Sequence, residues 1–362
     1  MRTIRSLAAA AAVVAMPLTA LSGMVGGNTA ASAATNASGF TWHKLTTLNG
    51  WQPGTNLQLR YGSPAWAVVR GVVYLRGSVD QPAGTKSAFA RLPLAARPAH
   101  RLYITVQTAN GTAGYLTVLP NGIIEAKSSP STNARGFTSL ASVSFPARSM
   151  TMHKLNLEFG WQSSQSQKNT GDPSYTISNG VAYLSGSLHQ PSGSDPVFAV
   201  LPKAARPSHV MYIGVYTDAG TIGEIAVETN GTLEALGAHA RSFTSLAGVS
   251  YPVAKTARHK LTLWTGWTSD LSTLQTGDPS YSLIGGVVYL SGAATSSQGS
   301  SEVLAVLPKG TRPTHTLYIK AYRGFNPVGV FRIAKNGRIF AYTVPPADGF
   351  ASLDSVSFPV SS

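Results

Sequence analysis

The chain of 362 residues carries one sequence pattern three times, and this repetition constrains the fold more than any other feature. Each copy contains Gly-Val-Val/Ala-Tyr-Leu-x-Gly, then Leu-Pro-x3-Arg-Pro, then a strand-like run with Tyr-Ile. Equivalent positions lie 106 to 110 residues apart, which is the length of a whole domain rather than of one solenoid unit. We therefore predict three tandem domains, at residues 42–148, 149–256 and 257–362.

Short β-type runs separated by turn residues fill each copy. In the middle copy Asn179-Gly180 stands between two such runs, and Asn-Gly in that position predicts a two-residue hairpin. Another expected strand runs from Leu155 to Trp161. About eight short strands per copy, with turns every 8–12 residues, predict an all-β fold of three tandem antiparallel β-sandwich domains, similar to jelly rolls.

The first residues have the features of an export signal. Arg2 and Arg5 precede an apolar, alanine-rich run, and Ala31-Ser32-Ala33 is a small-residue cleavage site. We predict a signal peptide at 1–33, a flexible lead-in at 34–41 and an extracellular protein. No later stretch has 18 consecutive apolar residues, so we expect no membrane span. The chain lacks cysteine, and its stability must therefore come from packing rather than from disulfides.

Positive charge is concentrated in the first copy. The whole chain has a formal net charge of +14, and residues 40–150 hold 11 Lys and Arg against 2 Asp and Glu. Such a domain is attracted to anionic polymers, for example an anionic cell-wall polymer. The cationic residues are scattered along the sequence, which fits an ordinary solvated surface equally well. An extracellular destination argues against nucleic acid as the native partner.

The strands of each copy have two different faces. Val73 and Leu75 fall on an aliphatic face, whereas Tyr74 falls on a face that mixes tyrosine with polar residues. A tyrosine combines an aromatic body with a polar hydroxyl, which suits an interface or a platform for sugars, and it equally suits the cap of a half-buried sheet. The candidate ligand-binding tyrosines are Tyr74, Tyr103, Tyr183, Tyr212, Tyr216, Tyr289, Tyr318 and Tyr322.

Tryptophan and arginine also recur by position. Trp51, Trp161 and Trp267 each follow a recurrent histidine by eight residues, and they are candidates for stacking on sugars or for the cores. The arginines of Leu-Pro-x3-Arg-Pro are Arg97, Arg206 and Arg312. Each of them could hold a carboxylate or a backbone carbonyl across the turn, or bind a ligand.

No motif for catalysis or metal binding recurs. The repeated histidines are single, and the chain has no Cys/His cluster that would hold a metal ion. Asp172 and Asp278 correspond to Ser63 in the first copy, and no pair of acidic residues is kept in all three. We predict a protein without metal or cofactor that is not an enzyme. A hydrolase that uses its own constellation in one copy remains the alternative.

The modules resemble β-sandwich domains of phage tail-fibre and minor tail proteins. The resemblance rests on the Gly-Tyr-Leu strand, the Leu-Pro-x3-Arg-Pro turn, the Asn-Gly hairpin and the closing Phe-x-Ser-Leu-x-x-Val-Ser-Phe. Its closest stretches are 309–313 and 352–358. It implies receptor or surface binding, commonly by trimers, although an export signal is foreign to that family. Three fused copies could form a pseudo-threefold arrangement within one chain.

These observations together predict a secreted, non-catalytic binding or adhesion protein that recognises cell-surface or environmental glycans. A self-associating structural protein of an envelope or matrix, with its tyrosine faces buried against each other, is the second interpretation. A glycan-degrading enzyme is the third.

Overall fold

The computed structural model describes residues 40–54, 61–237, 239–269, 274–297, 301–322, 329–342 and 349–361. The predicted signal peptide at 1–33 and residues 34–39 of the predicted lead-in lie outside them. Phe40, at the end of that lead-in, packs edge-on against Tyr74 with ring centroids 5.1 Å apart. Among the described residues there is no helix of the length and apolarity needed to cross a membrane.

The described part of each repeat forms eleven strands. In repeat 1 they are β1 (His43–Lys44), β2 (Gln52–Pro53), β3 (Ala65–Val69), β4 (Val72–Arg76), β5 (Ser78–Asp80), β6 (Ala88–Arg91), β7 (Leu102–Gln107), β8 (Ala113–Val118), β9 (Ile123–Lys127), β10 (Thr138–Ser139) and β11 (Ser144–Pro146). In repeat 2 they are β12 (His153–Lys154), β13 (Gln162–Ser163), β14 (Ser174–Ser178), β15 (Val181–Ser185), β16 (Ser187–His189), β17 (Val197–Val200), β18 (Met211–Tyr216), β19 (Ile222–Val227), β20 (Thr232–Leu236), β21 (Thr244–Ser245) and β22 (Ser250–Pro252). In repeat 3 they are β23 (His259–Lys260), β24 (Trp267–Ser269), β25 (Ser280–Ile284), β26 (Val287–Ser291), β27 (Ala293–Ser296), β28 (Val303–Val306), β29 (Leu317–Ala321), β30 (Gly329–Ile333), β31 (Arg338–Tyr342), β32 (Ala351–Ser352) and β33 (Ser357–Pro359).

Helical structure in the described residues is short. The α-helices are Ser131–Gly136 and Gln165–Lys168, and the 3-10 helices are Leu94–Ala96, Ala109–Gly111, Lys203–Ala205, Asp218–Gly220 and Lys309–Thr311.

The strands pair in the same antiparallel order in every repeat. In repeat 1 two four-stranded sheets, β1-β3-β4-β11 and β6-β9-β8-β7, are accompanied by a three-stranded sheet, β10-β5-β2. The corresponding sheets of repeat 2 are β12-β14-β15-β22, β17-β20-β19-β18 and β13-β16-β21, and those of repeat 3 follow the same scheme. The predicted all-β, antiparallel β-sandwich fold is confirmed.

The core of each repeat lies between its two four-stranded sheets. In repeat 1, Val73 and Leu75 of β4 meet Ile104 of β7 and Leu116 of β8 in one buried cluster. These residues alternate along their strands with residues that face the opposite way, as the two-residue period of a strand requires. The equivalent clusters of repeats 2 and 3 are built in the same manner.

Tight hairpins join the two central strands of the first sheet. Asn179 and Gly180, between β14 and β15, have φ of 52° and 78°, the two positive values of a type I′ turn. Arg70-Gly71 and Gly285-Gly286 occupy the equivalent turns with positive φ at both residues. The hairpin predicted from Asn-Gly is therefore present in all three repeats.

The prediction of a strand from Leu155 to Trp161 is wrong. The chain pairs only at His153–Lys154 and again at Gln162–Ser163. Between them it turns sharply, because Phe159 and Gly160 both have positive φ, of 50° and 79°. Leu155 and Trp161 point into the core from either side of this turn, which explains why the apolar pattern looked continuous.

Candidate functional site

Three tyrosines, one from each repeat, meet in a buried cluster. The hydroxyl of Tyr74 lies 3.0 Å from that of Tyr183 and 3.1 Å from that of Tyr289, and the last two are 2.8 Å apart. Their side chains are between 2% and 6% exposed. We call this cluster the tyrosine junction. Its three equivalent residues lie around a pseudo-threefold axis that relates the repeats.

Each hydroxyl of the tyrosine junction can donate one hydrogen bond and accept another, so three hydroxyls form a closed ring in which every donor is satisfied. Burial raises the pKa of all three phenols, which keeps the hydroxyls protonated at any physiological pH. Val72, Val181 and Val287 pack beside the ring. These buried hydroxyls are turned toward one another and are not presented to a ligand in solvent.

A second set of aromatic contacts joins neighbouring repeats in a cycle. Tyr103 of repeat 1 lies 5.5 Å from Phe243 of repeat 2, measured between ring centroids. The equivalent pairs are Tyr212 with Phe350, at 6.2 Å, and Tyr318 with Phe137, at 6.3 Å. Repeat 1 therefore contacts repeat 2, repeat 2 contacts repeat 3, and repeat 3 contacts repeat 1. Head-to-tail contacts of one kind close into a ring when the rotation permits, and here three repeats complete it.

The two remaining candidate tyrosines occupy the same interfaces. Tyr216 stacks on Tyr103, with centroids 5.1 Å apart and an interplanar angle of 14°. Tyr322 donates a hydrogen bond to the Glu224 carboxylate across the interface between repeats 2 and 3. The structure thus places all eight candidate tyrosines between repeats rather than on an outer ligand-binding face.

The second recurrent histidine also crosses each interface. A Cβ added to Gly277 would lie 2.8 Å from Cγ of His209, and Gly171 and Gly62 stand in the same relation to His100 and His315. The imidazole of one repeat therefore sits against a glycine of the next. His209 is fixed further: its Nδ1 lies 2.5 Å from Nη1 of Arg258, and its Nε2 lies 3.2 Å from Oδ1 of Asp354.

We expect Gly277→Ala to destabilise the protein more than Gly111→Ala, by about 1–3 kcal/mol, as overpacking against His209 adds to the backbone strain. The two glycines have nearly the same φ, 70° and 71°, but nothing lies within 4 Å of a Cβ at Gly111. Chemical denaturation of both variants measures the difference. Equal losses of stability would mean that the contact between His209 and Gly277 does not contribute.

The recurrent tryptophans Trp51, Trp161 and Trp267 belong to the cores. They are 4% to 6% exposed. The indole Nε1 of each donates to a backbone carbonyl of its own repeat, at 2.7 to 2.9 Å. Their ring faces are covered by protein and leave no room for a sugar.

The recurrent arginines hold a backbone carbonyl across the turn, which is one of the three roles predicted as possible for them. Nε of Arg97 donates to the carbonyl of Leu92 at 3.1 Å. Arg206 and Arg312 make the same bond to Leu201 and Leu307, at 3.0 and 2.9 Å. Each arginine thereby closes the Leu-Pro-x3-Arg-Pro loop on itself.

A groove lies between repeats 1 and 2. It has a volume of about 180 Å³ and is lined on one side by Pro98 and His100 of repeat 1. Met152, Lys154 and Asp172 line it from the start of repeat 2. Lys154 forms an ion pair with Asp172, and this pair lowers the pKa of the Asp172 carboxyl. The groove therefore combines apolar side chains with an imidazole, an ammonium and a carboxylate.

The corresponding position between repeats 2 and 3 is occupied by an arginine. Arg258 stands where repeat 2 has Met152, one residue before the recurrent His-Lys, and its guanidinium contacts His209. Lys260 and Asp278 form the same ion pair there as Lys154 and Asp172, at 3.0 Å. The two interfaces thus have the same Lys–Asp ion pair. They differ in the residue beside the histidine, which is Met152 at the first interface and Arg258 at the second.

Two residues that are not recurrent, Trp264 and Lys320, have unusual surroundings. Trp264 is 42% exposed, and the guanidinium of Arg338 lies 5.8 Å from the centroid of its ring. Lys320 lines a cavity at the centre of the molecule. Both could have been found in the sequence, because each differs in chemical type from the residues at the equivalent positions. The equivalents of Trp264 are Leu48 and Glu158, and those of Lys320 are Thr105 and Gly214.

Glu224 and Glu234 lie diagonally on the neighbouring strands β19 and β20. Burial raises the pKa of the Glu224 carboxyl despite the hydrogen bond from Tyr322, and burial together with other carboxylates raises the pKa of Glu234. Neither residue lines the groove between repeats 1 and 2. Within the described residues, no group of three or more His, Asp or Glu side chains could hold a metal ion.

We expect Glu224→Gln to stabilise the protein, increasingly so as the pH rises above about 4. A carboxyl whose pKa is raised on folding favours the folded state below its unfolded pKa and loses that contribution as the pH rises through its folded pKa. Glutamine removes this loss and keeps an acceptor for Tyr322. Urea unfolding of both proteins between pH 4 and pH 7 measures the effect. Parallel stability curves would contradict it.

The chain was compared with known proteins. No protein-family model matches it, and no curated protein matches it either.

Proposed function

We propose that this chain is an exported, non-catalytic protein that binds glycans in the groove between repeats 1 and 2. The observation that supports the proposal is the lining of that groove, in which Met152 and Pro98 lie beside His100, Lys154 and Asp172. Sugar rings offer apolar C–H faces and hydroxyls that both donate and accept, and a site of mixed apolar and charged side chains complements both. The groove volume of about 180 Å³ is more than ten times the roughly 10–15 Å³ that one water molecule needs, which leaves room for one sugar ring.

The closed ring of repeats favours binding over the other two interpretations. The interfaces within the chain already engage the recurrent tyrosines, and they bury Tyr74, Tyr183 and Tyr289. These faces are therefore taken up inside the chain, which argues against the self-association that the structural interpretation required. Among the described residues, Asp172 is the only one with a carboxylate that lines the groove, whereas the glycan-degrading interpretation needs two carboxylates in one cleft. Export agrees with the amino-terminal sequence pattern.

The test compares the two equivalent interfaces. Mature protein is screened against a glycan array and isolated cell-wall polysaccharide, and the affinity for the best ligand is then measured by calorimetry. We expect Met152→Arg to fill the groove as Arg258 does at the next interface, and to weaken binding at least tenfold. Lys154→Met should weaken binding to a similar extent, since it removes a donor and leaves Asp172 without its ion pair.

Lys260→Met is the matched control, because it breaks the equivalent ion pair at the interface that Arg258 occupies. It should leave the affinity unchanged. Equal losses in Lys154→Met and Lys260→Met, or binding that high salt abolishes in all variants, would point to general charge attraction instead of the groove. Concentration-dependent assembly without any glycan binding would favour the structural interpretation.

A further inference from the structure

The centre of the molecule contains a small cavity on the pseudo-threefold axis. It is lined by equivalent residues from all three repeats, for example Ile104, Ile213 and Ile319. We call it the axial cavity. Its volume of about 50 Å³ exceeds the roughly 10–15 Å³ that one water molecule needs, so it has room for a small ligand.

One lysine breaks the symmetry of the axial cavity. Lys320 occupies the position that is Thr105 in repeat 1 and Gly214 in repeat 2, and all three residues line the cavity. Its Nζ would lie only 2.9 Å from a Cβ placed on Gly214, so the glycine makes room for the ammonium group. Burial lowers the pKa of Lys320 to about 7. Lys320 is half-buried, and a cation that is partly removed from water without a counter-charge is costly, so such a group either loses its proton or acquires an anion.

The carboxylates nearest to the cavity are already engaged by other donors. Asp354 also lines the cavity, but its Oδ1 accepts hydrogen bonds from Nε2 of His209, at 3.2 Å, and from the backbone N–H of Gly292, at 2.9 Å. Its second oxygen accepts from the hydroxyl of Ser352. Glu224, on the strand next to Gly214, accepts from the hydroxyl of Tyr322. No described carboxylate forms an ion pair with Lys320.

The hydroxyl groups around the axial cavity donate only long hydrogen bonds, although Ser142 Oγ and Ser355 Oγ also accept from the backbone N–H groups of Ser357, at 3.0 Å, and Ser250, at 3.2 Å. Thr105 Oγ1 donates to the carbonyl of Gly214 at 3.5 Å, Ser142 Oγ to that of Ser355 at 3.4 Å, and Ser355 Oγ to that of Gly248 at 3.3 Å. These distances are at the outer limit of a hydrogen bond. The hydroxyls can therefore turn toward a better acceptor in the cavity at little cost.

We propose that the axial cavity binds a small monovalent anion, of the size and charge of chloride, against the ammonium of Lys320 and the hydroxyls of Thr105, Ser142 and Ser355. Such an anion would pair with the ammonium of Lys320, and it would link side chains from repeats 1 and 3. Binding is strongest where Lys320 is protonated, and it weakens as the pH rises through neutrality. Because a bound ligand stabilises the folded state, the anion should raise the melting temperature of the ring.

Thermal unfolding at pH 6 tests the proposal, with sodium chloride, bromide or gluconate at constant ionic strength. For the unaltered chain we expect the melting temperature to rise with chloride and bromide relative to gluconate. Lys320→Met should abolish this rise, whereas Lys309→Met, which removes an exposed lysine, should keep it. A halide effect of equal size in Lys320→Met, or no halide effect in the unaltered chain, would overturn the proposal.

A crystal of the unaltered chain soaked in bromide provides a direct second measurement that does not depend on any variant folding. We expect an anomalous peak in the axial cavity within hydrogen-bond distance of Nζ of Lys320. A cavity that holds only water under these conditions would overturn the proposal.

Discussion

Replacing Tyr183 by alanine is expected to lower the free energy of unfolding by about 4 kcal/mol, because it leaves a cavity in the tyrosine junction. The ring of Tyr183 is 2% exposed and packs with valines and tyrosines from all three repeats. The loss should therefore weaken the association of the repeats and not only the stability of repeat 2. Chemical denaturation followed by fluorescence and by circular dichroism measures both effects.

Tyr183→Phe separates the hydroxyl from the ring. Phenylalanine keeps the packing, but it leaves Tyr74 and Tyr289 with one hydrogen bond between them and one donor without an acceptor. A buried unsatisfied donor costs about 1–3 kcal/mol. Tyr175→Phe is the matched control within the same sheet, and it should cost less than about 0.5 kcal/mol, the usual limit for a change away from such features. Equal effects of the two changes would mean that the hydroxyl ring contributes nothing.

The second large effect concerns the tryptophans. We expect Trp161→Ala to cost about 3–5 kcal/mol, as is usual for a buried aromatic side chain, and to lose the bond from its indole N–H to the carbonyl of Asp195. Trp264→Ala should stay within about 0.5 kcal/mol of the unaltered chain, since this ring is 42% exposed. Urea unfolding compares them directly. A small cost for Trp161→Ala would contradict its assignment to the core.

Most of the fold could be predicted from local sequence. Asn179-Gly180 predicts a hairpin because few residues tolerate two positive φ values, and the turn forms as expected. The alternation of Val73 and Leu75 with Tyr74 correctly separates two faces of one strand. The pattern failed at Leu155–Trp161, where two core residues flank a turn instead of lying on one strand, and the expected number of about eight strands per copy was too low.

The role of the tyrosine faces could not be predicted in the same way. A strand with aliphatic residues on one side and tyrosines on the other looks the same whether the tyrosines face a ligand, a partner or another repeat. What distinguishes these cases is the approach of Tyr74, Tyr183 and Tyr289, which are more than a hundred residues apart in sequence. Only the tertiary structure shows that the face is used within the chain.

The groove between repeats 1 and 2 and the axial cavity are marked in the sequence by residues that differ between the repeats. Met152 and Arg258 stand at equivalent positions, yet one lines a groove and the other contacts His209. Lys320 replaces Thr105 and Gly214 at the axis. A search for what all three repeats share favours residues that maintain the fold, such as Arg97, Arg206 and Arg312, and overlooks such departures.

The closure of three repeats around one axis is tested most directly by mutant cycles over the tyrosine junction. Stabilities are measured for the three single Tyr→Phe variants at positions 74, 183 and 289, for the three double variants and for the triple variant. We expect each single change to cost about 1–3 kcal/mol and the triple change to cost clearly less than their sum, because removing every hydroxyl leaves no unsatisfied donor. Strictly additive effects at these three positions would contradict the ring.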